Sequence, residues 1–334
     1  MKQIEVLCPA AYSSGGPELL HQFCFETRKL GFSAEMLYIG NADTLKKPVA
    51  HQYVHYNNPY TISFDDSKDK VYVVPETLPR VLKKIKKGTI VYWWLSVDNY
   101  IASQYSIFGL NMSKSLIAPL VRITKIAMGK TDDVLRYNVI NHLVQSYYAY
   151  DFCLNNGIDR NKIMYLSDYI NDDYINSSRD NEKYKKKNQV LYNPKKGIEF
   201  TKKIIKRGNG IKWIPIINMS YNEVAKLMKQ SKAYIDFGNH PGKDRLPREA
   251  AINGCCVITD RRGSAAFSQD VPIPDEYKFE DTDDNIPQIV DKINDTLSNY
   301  NNKKHDFDEY RNKILAEHQQ FISDLSKVCS AITR

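Results

Sequence analysis

AYIDFGNHPGKDRLPREAAINGCCVITDRRGSAAF, residues 233–267, decides the fold. KAYIDFG at 232–238 reads as a buried strand. A loop carrying His240, Lys243 and Arg245 follows. LPREAAING at 246–254 reads as a helix, with Pro247 in its first turn and Gly254 as its stop. CCVITD at 255–260 is a second strand, and GSAAF at 263–267 opens the next helix after a basic turn. Strand, loop, helix and strand in this order form a βαβ unit, which makes the strands parallel.

The same rhythm extends in both directions. QVLYNP at 189–194 predicts a strand, KKGIEFTKKIIKRG at 195–208 a helix and IKWIPII at 211–217 a strand. SYNEVAKLMKQS at 220–231 predicts a helix whose Ser220 and Glu223 make a capping box. Residues 171–188 lose periodicity and become polar, as a linker does. Before them, IEVLC at 4–8 is a strand, PAAYSSGG at 9–16 a turn, and Pro17 to Leu30 a helix stopped by Gly31. Further strands are AEMLYIG at 34–40, KVYVVP at 70–75, TIVYWWL at 89–95 and KIMYLSDYI at 162–170. TLPRVLKKIKKG at 77–88 predicts a helix, and 139–158 predicts a strand followed by a helix. Residues 308–328 form a long amphipathic helix.

Two βα-alternating halves predict an α/β chain with two Rossmann-like domains, each a parallel sheet covered by helices on both faces. The expected boundaries are 1–175 for an acceptor domain, 186–307 for a donor domain, and 308–334 for a final helix packing back on the first. Ligands bind at the carboxyl ends of such strands, so the expected site is a central cleft faced by both domains.

Composition supports two soluble cores and little else. Of 334 residues, 42% are hydrophobic and 26% charged, which excludes disorder. A net charge of +8 suits an anionic partner. No nucleic-acid signature accompanies it. Six cysteines show no metal-binding or paired spacing, so free thiols in a reducing compartment are expected. The opening run KQIEVLCPA is too short for a secretion signal, and the expected location is cytoplasmic.

Four loops carry chemistry. Gly15 and Gly16 stand between the first strand and a helix, where a tight turn either allows close ligand approach or serves the turn alone. Lys196 stands before Gly197 at another strand-to-helix turn, where its ammonium would neutralise a diphosphate or belong to a solvated basic helix start. In the loop after 238, Lys243 or Arg245 would grip phosphate, and His240 would hydrogen-bond a sugar or serve only the loop. Glu249 suits either ribose hydroxyls or the helix dipole. Gly263 and Ser264 open a helix whose amides suit phosphate, with N-capping by Ser264 as the alternative. In the first half, Trp93 and Trp94 end a strand and suit stacking on sugar rings; Asp98, just beyond, is a base candidate or an Asx turn. The acid pairs Asp65-Asp66 and Asp283-Asp284 read as solvated loops, and no metal is expected. The basic, apolar stretch 113–130, broken by Pro119, suits either core packing or peripheral contact with an anionic membrane.

The chain resembles the GT-B glycosyltransferases, especially the retaining superfamily that includes bacterial capsule and O-antigen transferases. Gly15-Gly16 matches the family's first turn, and Lys196-Gly197 its Lys-Gly. Glu249, Ala250, Ala251, Gly254 and Val257-Ile258-Thr259 match the second half of its paired-Glu motif. The first Glu falls on Pro241 and is missing, and so is the Arg that precedes the Lys-Gly. The resemblance implies transfer of a sugar from a UDP-, GDP- or CMP-sugar to a glycan or lipid-linked acceptor in polysaccharide biosynthesis, at the inner face of the membrane and without an obligatory cofactor. A sugar-nucleotide epimerase of the same fold and a non-catalytic, sugar-nucleotide-binding subunit are the alternatives.

Overall fold

The computed structural model describes residues 2–107, 110, 111, 113, 115–128 and 134–334. The expected basic residues Lys114 and Lys130 lie outside the described residues. The chain divides into two compact units, 1–168 with 320–334, and 169–319. The polar segment 171–188 belongs to the second unit and contains the helix Asp172–Ser178.

The first unit holds a seven-stranded parallel sheet. Its strands run in the order Tyr60–Thr61, Ala34–Ile39, Gln3–Pro9, Lys70–Pro75, Thr89–Trp94, Val139–Val144, Ile163–Tyr165. The strand order turns back on itself between Gln3–Pro9 and Lys70–Pro75, which creates a crevice at their carboxyl ends. The central strands are apolar on both faces, as helix-covered parallel strands must be. Val71, Tyr72, Val73 and Val74 are all fully buried.

The second unit holds a five-stranded parallel sheet. Its order is Lys212–Pro215, Lys187–Tyr192, Ser231–Asp236, Cys256–Asp260, Lys278–Phe279. Here the order reverses between Lys187–Tyr192 and Ser231–Asp236. The helices Ile198–Arg207, Tyr221–Lys229, Arg245–Ile252 and Ile286–Ser298 connect and cover the sheet. Ser220 and Glu223 close the expected capping box, the serine accepting from the Glu223 amide and the glutamate from the Ser220 amide. The final helix runs Asp308–Ile332, and its residues from Gln320 onward belong to the first unit. All six cysteines are buried free thiols.

Two expected helices are missing: the one expected to open at 263–267 is only the 3-10 turn Gly263–Ala266, and the other lies in the first unit. Residues 77–88 form only a short 3-10 turn, Pro79–Lys84. Asp66 explains the stop: its carboxylate accepts the amides of Lys86, Lys87 and Gly88 at 2.8, 3.0 and 3.0 Å. Those three donors leave the helix ladder, and Asp66 is an anchor rather than a merely solvated loop residue. Its bonds hold the carboxyl below its ordinary range, although burial opposes the shift.

Candidate functional site

Three loops leave the carboxyl ends of neighbouring strands of the second sheet, after Tyr192, Asp236 and Asp260. Two glycines let them touch backbone to backbone. Gly197 has φ +55°, and a Cβ there would lie 1.5 Å from the Phe237 carbonyl oxygen. Gly263 has φ +52°, and its Cβ would lie 2.0 Å from the His240 oxygen. Both positions demand left-handed backbone and no side chain. Ser264 then ties its loop to the middle one: its amide donates to the His240 oxygen at 2.9 Å and its hydroxyl to the Gly242 oxygen at 2.7 Å. Both Ser264 donors serve the loop assembly itself.

The loops bring five ionisable side chains together at the point where the strand order reverses. The Lys196 ammonium bonds to the Asp244 carboxylate and lies 3.6 Å from Asp236 Oδ1. His240 Nδ1 lies 2.7 Å from Asp244 Oδ2, and Nε2 lies 3.4 Å from Asp260 Oδ1 and 3.9 Å from Asp236 Oδ1. His240, Asp236 and Asp260 are buried, and Tyr234 donates its hydroxyl to Asp236 Oδ2 at 2.8 Å. Asp260 Oδ1 accepts the Arg262 amide at 3.0 Å, while its buried Oδ2 has no hydrogen-bond donor.

Burial alone would neutralise these groups, and mutual pairing decides which stay charged. Burial pulls Lys196 down, but Asp236 and Asp244 outweigh it and hold the ammonium above its ordinary value. His240 follows the same logic: burial lowers it, and Asp244 with Asp236 raises it on balance. Asp244 is depressed by His240 and Lys196 against the opposing effect of burial. For Asp260 burial wins and pushes the carboxyl up to about 6. Asp244 also precedes the helix Arg245–Ile252, where a negative charge complements the dipole.

A second buried network braces the middle loop from beneath. Lys243 Nζ lies 2.7 Å from Glu317 Oε1, and Arg248 Nη1 lies 2.8 Å from Glu317 Oε2. Arg248 also donates to the carbonyls of Asp244 and Lys243 at 3.0 and 2.9 Å. Lys243 thus faces Glu317 on the last helix. Glu249 is buried and receives the Tyr174 hydroxyl. Arg245 is half-buried as the first residue of its helix.

In the first unit, Gly15 and Gly16 begin the helix Gly15–Lys29, and the turn before them is pinned by Tyr53, whose hydroxyl donates to the Ser14 carbonyl at 2.7 Å. Asp98 lies in the first turn of Val97–Tyr105 and accepts the Tyr148 hydroxyl at 2.9 Å. Trp93 and Trp94 are core residues at 0% and 1% exposure, so the expected stacking on sugar rings fails. Trp94 instead donates to His142 Nδ1 at 3.1 Å.

Sequence reasoning singled out Lys196 and His240 but not their acidic partners. Asp236 and Asp260 carry a readable signal, since each ends an apolar strand. Among the described residues, one trio, Asp236, His240 and Asp244, brings possible metal-ligand atoms within 4.8 Å of one another. Lys196 touches both carboxylates of that trio and supplies a cation from the chain itself.

No family model matches the sequence, and no curated protein matches it either. Solved structures do match. A glycosyltransferase from Rickettsia africae is 14% identical, with 98% of this chain and 99% of that one covered, at TM-score 0.59. A sucrose-phosphate synthase from Thermosynechococcus elongatus is 10% identical, with 99% of both chains covered, at TM-score 0.65. Anabaena HepE, solved with UDP and glucose, is 10% identical over 100% of both chains, at TM-score 0.63. These neighbours are GT-B glycosyltransferases, and they span the whole chain. With its two parallel sheets and interleaved helices, the chain has the GT-B fold.

Proposed function

We propose that the protein is a glycosyltransferase that moves a sugar from a nucleotide-sugar to a glycan or lipid-linked acceptor, in bacterial surface polysaccharide synthesis at the inner face of the membrane. One observation carries this reading: a lysine held charged among strand-end loops at the reversal point of the second sheet. Anionic ligands of doubly wound sheets bind at such points.

In this reading Lys196 receives the phosphate of the donor. Asp236 and Asp244 keep it protonated and aimed. Negative charge grows on the departing nucleotide in the transition state, so a preorganised ammonium lowers the barrier more than it tightens ground-state binding. Lys196 thereby supplies the charge that a metal provides in other transferases. The amino ends of the helices after Gly197 and Asp244 add positive dipoles at the same edge. His240 sits behind Lys196 and shares Asp244 with it, so its role is to position that carboxylate. Arg245 and Glu249, on the helix after Asp244, face the nucleotide's phosphate and ribose. Gly15 and Gly16 serve close approach of the acceptor. Asp98 is the base if the anomeric configuration inverts, and retention needs none.

The test is a panel of UDP-, GDP- and CMP-sugars with released nucleotide as the readout. One donor is expected to turn over in the presence of acceptor. Silence across the panel overturns the proposal. Change of the donor without acceptor marks an epimerase instead.

A further inference from the structure

The amino edge of the second sheet holds a cavity of about 630 Å³, within the size range of a small-molecule site. Lys186, Lys232 and Gly254 line it beside the starts of the strands Lys187–Tyr192, Ser231–Asp236 and Cys256–Asp260. The Lys196 cluster stands at the other ends of these strands, roughly 20 Å away. Five cations line the cavity, Lys185, Lys186, Lys232, Lys304 and Arg311, against two carboxylates, Glu182 and Asp308. All belong to the second unit.

Helix ends account for part of this charge. The helices covering a parallel sheet run back and finish at this edge, where their last carbonyls favour cations. Lys186 donates to the carbonyls of Met228, Ser231 and Asn253 at 3.0, 2.9 and 2.8 Å, which uses all three ammonium protons. Arg311 donates to the carbonyls of Ala251 and Lys304 at 2.9 and 2.6 Å and to Asp308 at 2.8 Å. His305 adds a second contact to Asp308 at 3.0 Å. The other lysines are not spent in this way. Lys232 gives one of its three donors to the Leu297 carbonyl at 2.6 Å. Lys304 is half-buried and Lys185 exposed, and among the described residues no hydrogen bond or ion pair engages either ammonium. With Asp308 taken up by Arg311 and His305, Glu182 is the one lining carboxylate left to three lysines.

Excess charge of one sign in a recess concentrates the opposite ion, and lysines with donors to spare suit the several acceptor oxygens of a phosphate. The cavity is larger than one phosphate needs, and the half-buried Tyr184 lines it as well. We infer that this cavity binds a small organic phosphate, with Lys185, Lys232 and Lys304 around the phosphate and Tyr184 beside the organic part. The site is separate from the Lys196 edge, and its occupancy is read without turnover.

The experiment is calorimetric titration of the full chain with a hexose phosphate, a nucleoside monophosphate and inorganic phosphate. It is run on the Lys196→Met chain, so that binding at the other edge does not contribute. At least one of the two organic phosphates is expected to bind, more tightly than inorganic phosphate and more weakly as salt rises. Adding Lys185→Gln and Lys304→Gln, whose side chains hold no partner in the fold, should weaken that binding by about tenfold. Lys206→Gln with Lys212→Gln, at exposed positions away from the cavity, makes the same change in net charge and should leave binding unaltered. Absence of binding by both organic phosphates overturns the inference. So does equal weakening by the two pairs of substitutions, or an affinity for inorganic phosphate that matches the organic ones.

Discussion

The carboxyl edges of the two sheets are built alike and charged differently. In the second unit, Lys196, Asp236, His240, Asp244 and Asp260 crowd one reversal point, linked by contacts of 3.9 Å or less. In the first unit, the corresponding strands end in Pro9, Pro75 and Trp94, of which Pro75 and Trp94 are buried. Two titratable groups near that edge are driven neutral by burial. Burial pushes Glu76, which accepts the Leu95 amide at 3.1 Å, up to about 8, and pulls His142 down to about 4. The same topology therefore holds a dense, mutually compensated charge cluster at one edge and no comparable cluster among the described residues at the other. In the proposed function the former edge meets the phosphate, since fixed charge that is already desolvated and oriented need not reorganise when a ligand arrives.

The contrast breaks most readily from beneath. Glu317→Ala removes the shared partner of Lys243 and Arg248 and leaves buried cations uncompensated. The expected loss is about 3–5 kcal/mol in urea unfolding of the second unit. Lys196→Met strikes the charged edge itself. Turnover is expected to fall about 10²–10³-fold, read as kcat, with native circular dichroism retained. A variant with unchanged kcat would move the chemistry elsewhere. Gly197→Ala tests the loop contact: a Cβ there meets the Phe237 oxygen and forces a left-handed residue, which predicts about 1–3 kcal/mol of destabilisation in thermal melts.

The first sheet's edge gives the most specific effect. The native state holds the Glu76 proton up to a pH of about 8, well above the value of 4.5 for a free glutamate. Between these values the folded chain binds more protons than the unfolded one, so stability falls as pH rises through that window. Glu76→Gln stays neutral throughout. The variant should match the parent near pH 4 and exceed it increasingly as pH rises, by on the order of 10 °C in Tm at pH 9. A constant difference across pH would show that Glu76 is ionised in the fold.

Much of the architecture was legible in the sequence because it is local. Strand, loop and helix alternate within short windows, and Gly31, Gly197 and Gly254 mark turns where the chain needs φ above zero. The placement of Lys196 and the loop through His240 followed from that rhythm and the sheet rule. What stayed hidden depends on distant partners. The turn at 79–84 stops because of Asp66, a residue upstream of the strand Lys70–Pro75. Lys243 looked like a phosphate grip, yet its partner, Glu317, is more than seventy residues away in sequence. Trp93 and Trp94 end a strand of a sheet covered on both faces, so the expected architecture itself argued against stacking on sugar rings.

A crystal of the protein grown with the nucleoside diphosphate of its donor tests the central claim most directly. The account predicts phosphate oxygens within salt-bridge distance of the Lys196 ammonium, over the loops that begin at Gly197 and Gly263. A nucleotide bound elsewhere, with Lys196 still engaged only by Asp236 and Asp244, would contradict it.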